Sequence, residues 1–140
     1  MPIQPTGAKG VQGTIELLQE FVPGLQDVDG FSHLILLYHF HHADGYALLS
    51  RPFLDERQRG VFATRAPRRP NPIGFSIVRL ADIQGSVLNI LDVDILDGTP
   101  LLDIKPYVPA FDDRAETKIG WLTGKAAMAS KHASDNRFNE

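Results

Sequence analysis

The sequence contains no cysteine. Disulfides, thiolate zinc sites and cysteine-held iron–sulfur clusters are therefore excluded, and with them any radical chemistry that needs such a cluster. Positive charge is not in excess either. Seventeen acidic against fourteen basic residues give a net charge of −3, so any contact with nucleic acid has to come from a local patch. No apolar run reaches the length that spans a bilayer, and the opening MPIQPTGAKG lacks the apolar stretch of a signal peptide, which points to the cytoplasm. No G-x-G-x-x-G follows a strand, and there is no G-x-x-x-x-G-K-S/T loop, so the usual phosphate cradles are missing. A G-x-S-x-G elbow is also absent, and Ser32 and His33, adjacent on a strand, point to opposite faces. Nucleophilic catalysis is poorly supported.

What remains is 140 residues of ordinary globular composition, 43% hydrophobic and 22% charged, enough for one domain with its own core. The expected domain runs over 1–132, with a polar, frayed tail at 133–140. Most periodic segments read as strands: Gly13–Leu18, Ser32–His42, Tyr46–Leu49, Val61–Thr64, Gly74–Leu80, Val87–Leu91 and Leu101–Ile104. Ser32–His42 is apolar on both faces, which makes it a central strand. Gly85-Ser86 is a hairpin turn signal. Gly24–Gly30 reads as a connector with at most one helical turn, and a helix is expected only around Thr123–His132. Many short strands punctuated by glycine and proline predict a mainly β fold, an antiparallel barrel or sandwich.

The densest chemical signal is GVFATRAPRRPNPIGFSIVRL, Gly60–Leu80. Arg65, Arg68 and Arg69 fall within five residues, fenced by Pro67, Pro70 and Pro72. Proline fixes its own φ and pushes its predecessor toward extended geometry, so the arginines are expected on a stiff, extended connection. Arginine grips carboxylates and phosphates through paired hydrogen bonds, so the rack favours a local anionic ligand over a plain solvated loop. Asn71, trapped between two prolines, is a turn lock or a ligand contact. Gly74 permits close approach of a ligand or of a packed side chain.

Two further groups stand out. In LDGTPLLDIKPY, Leu96–Tyr107, Asp97-Gly98 is a tight turn whose backbone can meet a ring edge, although for the turn alone a plain hairpin turn is the favoured reading. Asp103, Lys105 and Tyr107 alternate on one face of an extended segment. They can orient a polar substrate, or form a structural acid–base pair beside a capped tyrosine. The histidines His33, His39, His41 and His42 read as hydrogen-bonded strand residues rather than metal ligands, because no third ligand stands at a diagnostic spacing.

Gly60–Leu80 and Leu96–Pro109, together with FSHLILLYHFH (Phe31–His41) and PIQP (Pro2–Pro5), closely resemble the TrmO/TsaA family of S-adenosylmethionine-dependent tRNA methyltransferases. The resemblance runs from Pro2 to about Leu122. It implies a compact antiparallel β-barrel with a short C-terminal helix, a homodimer, and methyl transfer to N6 of threonylcarbamoyl-adenosine beside the tRNA anticodon. Carried to matching positions, it implies S-adenosylmethionine contacts at Pro5, Thr6, Gly7, His41, His42, Ala43, Arg65, Phe75, Leu96, Asp97, Gly98 and Thr99. Arg68, Arg69 and Lys105 are then left for tRNA phosphate. Asp103 or Tyr107 becomes the proton acceptor or orienter, and no metal is implied. Family members carry a further strand ahead of the PIQP-like segment. An upstream start or a dimer partner is expected to supply it here. The alternatives are a non-catalytic S-adenosylmethionine- or RNA-binding module, and a methyltransferase of the same fold with a small-molecule acceptor.

Overall fold

The computed structural model describes residues 9–52 and 55–125. Seven strands follow in chain order: β1 Gln12–Glu16, β2 His33–His39, β3 Leu49–Ser50, β4 Arg59–Gly60, β5 Ile73–Gln84, β6 Val87–Leu91 and β7 Leu101–Pro106. Five of them form one antiparallel sheet in the order β1-β6-β5-β2-β7, and β3 and β4 pair in a small separate ribbon. Among the described residues, helix is limited to one turn, Pro109–Asp112, and short 3₁₀ turns.

The two apolar faces of β2 explain its place. Leu34, Leu36 and Tyr38 are buried on one face and pack with Ile15, Val78, Leu88 and Ile90. Ile35 and Leu37, on the other face, are half-buried. β2 is flanked on both sides, by β5 and by β7, as its pattern predicted. β5 is long enough to serve two partners. It pairs with β2 over 73–79 and with β6 over 79–84, shifting register near Ala81. Its link to β6 is the two-residue Gly85-Ser86 hairpin, as expected.

The expected closed barrel does not form among the described residues. Closure needs a ladder between β1 and β7, and these are instead the two free edges of an open sheet. The shift at Ala81 and another between Leu37 and Tyr38 in the β2–β7 ladder bend the sheet. The edges nevertheless stay apart, and a cavity of about 1030 Å³ lies between β1 and the segment leading into β7.

Other local expectations need correction. Val61–Thr64 is not a strand: Val61–Ala63 is a 3₁₀ turn. Both the amide and the hydroxyl of Thr64 donate to the Val61 carbonyl, at 3.1 and 2.9 Å, and this local bonding displaces a ladder. Of Tyr46–Leu49 only Leu49 enters a strand: Tyr46, Leu48 and Leu49 are all exposed with no core to cover, and pairing is limited to the short ladder of Leu49–Ser50 with Arg59–Gly60. The connector after β1 carries two 3₁₀ turns, Gln19–Leu25 and Val28–Gly30. At the C-terminal end, Gly120–Leu122 is a 3₁₀ turn followed by a turn through Lys125. The remainder of the expected helix and the tail lie outside the described residues.

Candidate functional site

The end of β2 organises the site. Successive strand amides point to opposite neighbours, and each needs an acceptor. The His39 N–H donates to the Pro100 carbonyl at 3.0 Å, and the next amide, Phe40 N–H, donates to the Pro72 carbonyl at 2.8 Å. Pro100 stands just before β7 and Pro72 just before β5. Two loops far apart in sequence, the arginine-rich one and the Leu96–Thr99 one, are thereby fastened to consecutive residues of one strand. The chain then turns, with Ala43 N–H on the Phe40 carbonyl at 3.0 Å, and the His41 and His42 rings lie 3.9 Å apart. His41–Ala43, the arginine loop and the Leu96–Thr99 turn thus share one end of the sheet. Pro5, Thr6 and Gly7 lie outside the described residues.

The arginine loop is stiff, though it is bent rather than extended. Arg69 N–H bonds the Pro67 carbonyl at 3.0 Å and Ile73 N–H bonds the Asn71 carbonyl at 2.8 Å. These i to i−2 bonds make γ-turns centred on Arg68 and Pro72, and a proline's fixed φ suits the second. Asn71 therefore serves as a turn lock through its carbonyl. Arg65 is exposed and its guanidinium lies 5.6 Å from the Phe75 ring centroid, a cation–π distance. Arg68 is exposed at its turn. The Arg69 side chain folds back, with Nη1 on the carbonyls of Thr64 at 2.8 Å and Ala66 at 3.3 Å.

In the second loop, Gly98 has φ +80° at the third position of the turn Leu96–Thr99, a conformation that favours glycine. Thr99 closes the turn twice on the Leu96 carbonyl, with its amide at 3.3 Å and its hydroxyl at 2.6 Å. The turn also borders the cavity, together with β1, Leu36 and Tyr38.

Beside the cavity lies a polar chain that the sequence reading did not single out. The Tyr38 hydroxyl is 2.8 Å from Ser76 Oγ, and Ser76 donates to Asp94 Oδ1 at 2.6 Å. Burial pushes the Tyr38 phenol up to about 12 and also raises the Asp94 carboxyl, against the lowering effect of its Ser76 bond. Gly74 faces this chain. A Cβ there would overlap the Tyr38 ring, so the glycine serves close packing. The available signal was alternation: Gly74, Ser76 and Val78 share the inward face of β5, and an inward serine needs a partner.

The family model for the tRNA-methyltransferase O N-terminal domain matches residues 1–113. The chain belongs to this family. A Pyrococcus abyssi relative, described as a probable S-adenosyl-L-methionine-binding protein, is 56% identical over 99% of this chain and 75% of its own length. A mouse tRNA (adenine(37)-N6)-methyltransferase is 41% identical over 63% of this chain and 21% of its own. The crystal structure of TrmO from Pseudomonas aeruginosa superposes with a TM-score of 0.70 at 43% identity, over 86% of this chain and 53% of that one. The chain spans 75%, 30% and 54% of the first three curated relatives.

Within this TrmO-family chain, the remaining candidates fall apart into separate groups. Asp103 and Phe75 both stand opposite Leu37, so they share the sheet face that Tyr38 and Leu36 do not. The Arg65–Phe75 pair is therefore no wall of the cavity, and the two loops meet at the strand end rather than inside it. Lys105 Nζ is 2.9 Å from Asp103 Oδ2, and this bond holds the Asp103 carboxyl below its ordinary range. Tyr107 donates to Asp113 Oδ1 at 2.7 Å, which raises its phenol. Each is committed to a neighbour and the two form no joint acid–base site.

A clasp around Trp121 holds the root of the arginine loop at Ala63. Trp121 Nε1–H donates to the Ala63 carbonyl at 2.7 Å. Arg59 Cζ and Lys125 Nζ lie 5.8 and 6.0 Å from the Trp121 ring centroid. Both cations also reach Asp55, Arg59 Nε at 2.6 Å and Lys125 Nζ at 3.3 Å, where the carboxylate side chain is only 4% exposed.

Proposed function

We propose that this chain binds S-adenosylmethionine at the loop cluster beyond β2 and directs its methyl group to adenine N6 in tRNA. The observation that carries the reading is the pair of consecutive bonds from His39 and Phe40 to Pro100 and Pro72, which bring an exposed arginine on an aromatic ring and a tight turn to one strand end. The residues fit the cofactor's chemistry. Arg65 offers a fork for the carboxylate, with Phe75 beneath it. The Leu96–Thr99 turn, with the Leu96 carbonyl already saturated by Thr99, offers a rigid backbone edge for the adenine. His41–Ala43 flank the same site in this reading, and the family resemblance adds Pro5, Thr6 and Gly7 as cofactor contacts. The bound cofactor supplies an electrophilic methyl on sulfonium for in-line displacement. The protein's share is alignment of acceptor nitrogen with methyl, and exclusion of water.

The finer reading is that the acceptor is N6 of threonylcarbamoyl-adenosine beside the anticodon. The family and the adenine-37 specificity in the mouse relative's name support it. The carbamoyl group acidifies the N–H, so a strong protein base is unnecessary, in keeping with the paired states of Asp103 and Tyr107. Arg68 and Lys105 supply positioning contacts to phosphate, and a homodimer completes the site. The same paired states favour one second reading, a binding module without catalysis.

Calorimetric titration of S-adenosylmethionine into wild type and Arg65→Ala tests the site. Saturable binding that drops at least tenfold in the variant, roughly the value of one charged hydrogen-bond pair, supports it. Labelled-methyl transfer to tRNA with and without the threonylcarbamoyl group then tests the acceptor. Transfer to neither, by a protein that binds the cofactor, selects the binding module.

A further inference from the structure

Arg69 stands four residues beyond Arg65 in the same proline-fenced run, and the sequence offers both as equivalent anion ligands. Their surroundings differ. Arg65 is exposed over Phe75, whereas Arg69 is half-buried and spends Nη1 on its own loop. The two carbonyls it holds belong to Thr64 and Ala66, the residues on either side of Arg65. A terminal guanidinium nitrogen carries two N–H donors in a fixed plane, so two acceptors on it are fixed relative to each other. Bonds from a charged donor are also the stronger kind.

The other fastenings of the loop act on the same residues. The Thr64 hydroxyl accepts from Ala66 N–H at 3.2 Å and donates to the Val61 carbonyl at 2.9 Å. The clamp is rooted by its own amide, since Arg69 N–H is bonded to the Pro67 carbonyl at 3.0 Å. Every bond serves to hold the backbone around Arg65 still while leaving the Arg65 side chain outward.

We propose that Arg69 is a positioning residue that presents Arg65 to the cofactor carboxylate, and that it is not a tRNA phosphate ligand. The proposal deepens the reading of Arg65 given under Proposed function and rests on it. It divides the arginine rack by role: Arg65 for the cofactor, Arg69 to hold it, and Arg68, exposed at its γ-turn, for RNA. The advantage is preorganisation, because a ligand that meets a fixed arginine does not have to order the loop first.

The test uses the full chain as wild type, Arg69→Gln, Arg69→Lys, Arg65→Ala and the Arg65→Ala/Arg69→Gln double variant. Three quantities are read: S-adenosylmethionine affinity by calorimetry, tRNA affinity across a salt series, and amide hydrogen exchange without ligand. Arg69→Gln is expected to weaken the cofactor about tenfold, the size of one lost charged interaction, with tRNA affinity and its salt slope unchanged. Arg69→Lys keeps the charge but not the planar fork, and is expected to weaken the cofactor as well. The double variant is expected to bind no worse than Arg65→Ala, since a residue acting through another adds nothing once that one is gone. Exchange should rise across 61–72 in Arg69→Gln while β2 keeps its protection.

Additive losses in the double variant would overturn the proposal. So would unchanged cofactor affinity combined with weaker tRNA binding, a salt slope reduced by about one and rescue by Arg69→Lys, which is the signature of a phosphate contact. Wild type that takes up no S-adenosylmethionine sinks the site reading and this proposal's cofactor role with it. Unchanged exchange in a wild type that does bind sinks the clamp alone.

Discussion

Trp121 and Ala63 are joined across 58 positions of sequence by one hydrogen bond, indole Nε1–H to carbonyl, at 2.7 Å. Trp121 is the only tryptophan in the chain, and Ala63 lies two residues before Arg65. The bond ties the Gly120–Leu122 turn to the root of the arginine loop. Trp121→Phe keeps much of the ring and loses the donor. It is expected to cost about 1 kcal/mol in urea unfolding, the usual net value of one such bond. The lowered protection should concentrate at 61–66 in hydrogen exchange.

Asp55 makes the same clasp sensitive to acid. Its bond to Arg59, aided by the Arg57 amide and Lys125, holds the carboxyl well below the usual range against the opposing effect of burial. A depressed folded pKa gives stability that is fully present above the unfolded value, about 4, and is lost as pH falls below it. Urea midpoints from pH 7 down to 2.5 should therefore show wild type well above Asp55→Asn at neutral pH, with the gap shrinking below pH 4. A gap that stays constant through that range would mean that the carboxylate's charge contributes nothing.

Gly74 and Tyr38 form a pair that only one of them can change. A methyl at 74 overlaps the Tyr38 ring, which is itself held by Ser76 and by an edge-to-face contact with Phe40 at 5.5 Å. Gly74→Ala is expected to destabilise by about 1–3 kcal/mol, the usual cost of overpacking. In a Tyr38→Leu background the same change should cost far less. Equal costs in both backgrounds, measured by thermal unfolding, would refute the steric account.

The alkaline limb tests Tyr38 separately. Its phenol, raised to about 12 mainly by burial, must ionise more readily once the chain unfolds, so folding stability holds below pH 10 and declines as pH rises from 10 toward 12. Tyr38→Phe removes the titrating group. Its stability is expected to lose less than wild type over that interval in parallel urea titrations.

Asp103 and Tyr107 are expected to be dispensable for chemistry. Asp103→Asn breaks an exposed ion pair with Lys105, the kind worth about 0–1 kcal/mol, and Tyr107→Phe removes a bond to Asp113. Methyl-transfer rates should stay within about tenfold of wild type. General-base loss costs about 10²–10⁴-fold, so a drop of that size in either variant restores it as the proton acceptor.

The alternation of Ser32–His42 was enough to place β2 inside the sheet rather than at an edge, between β5 and β7, although its Ile35 and Leu37 face is only half-buried. Gly85-Ser86 marked its hairpin for the same local reason: turn chemistry is decided by the residues in the turn. The TrmO-like motifs in Gly60–Leu80 and Leu96–Pro109 carried the family. What sequence could not decide were outcomes of competition between distant groups. Thr64 preferred its own Val61 carbonyl to a ladder, so an expected strand became a turn. Barrel closure depended on whether β1 and β7 meet, which no local pattern encodes. Arg65 and Arg69 are chemically identical side chains four residues apart. Only the folded loop, with two carbonyls within reach of one and an aromatic ring under the other, gives them different surroundings. Residue type sets what a group can bind, and tertiary structure decides which partners come close enough to bind it.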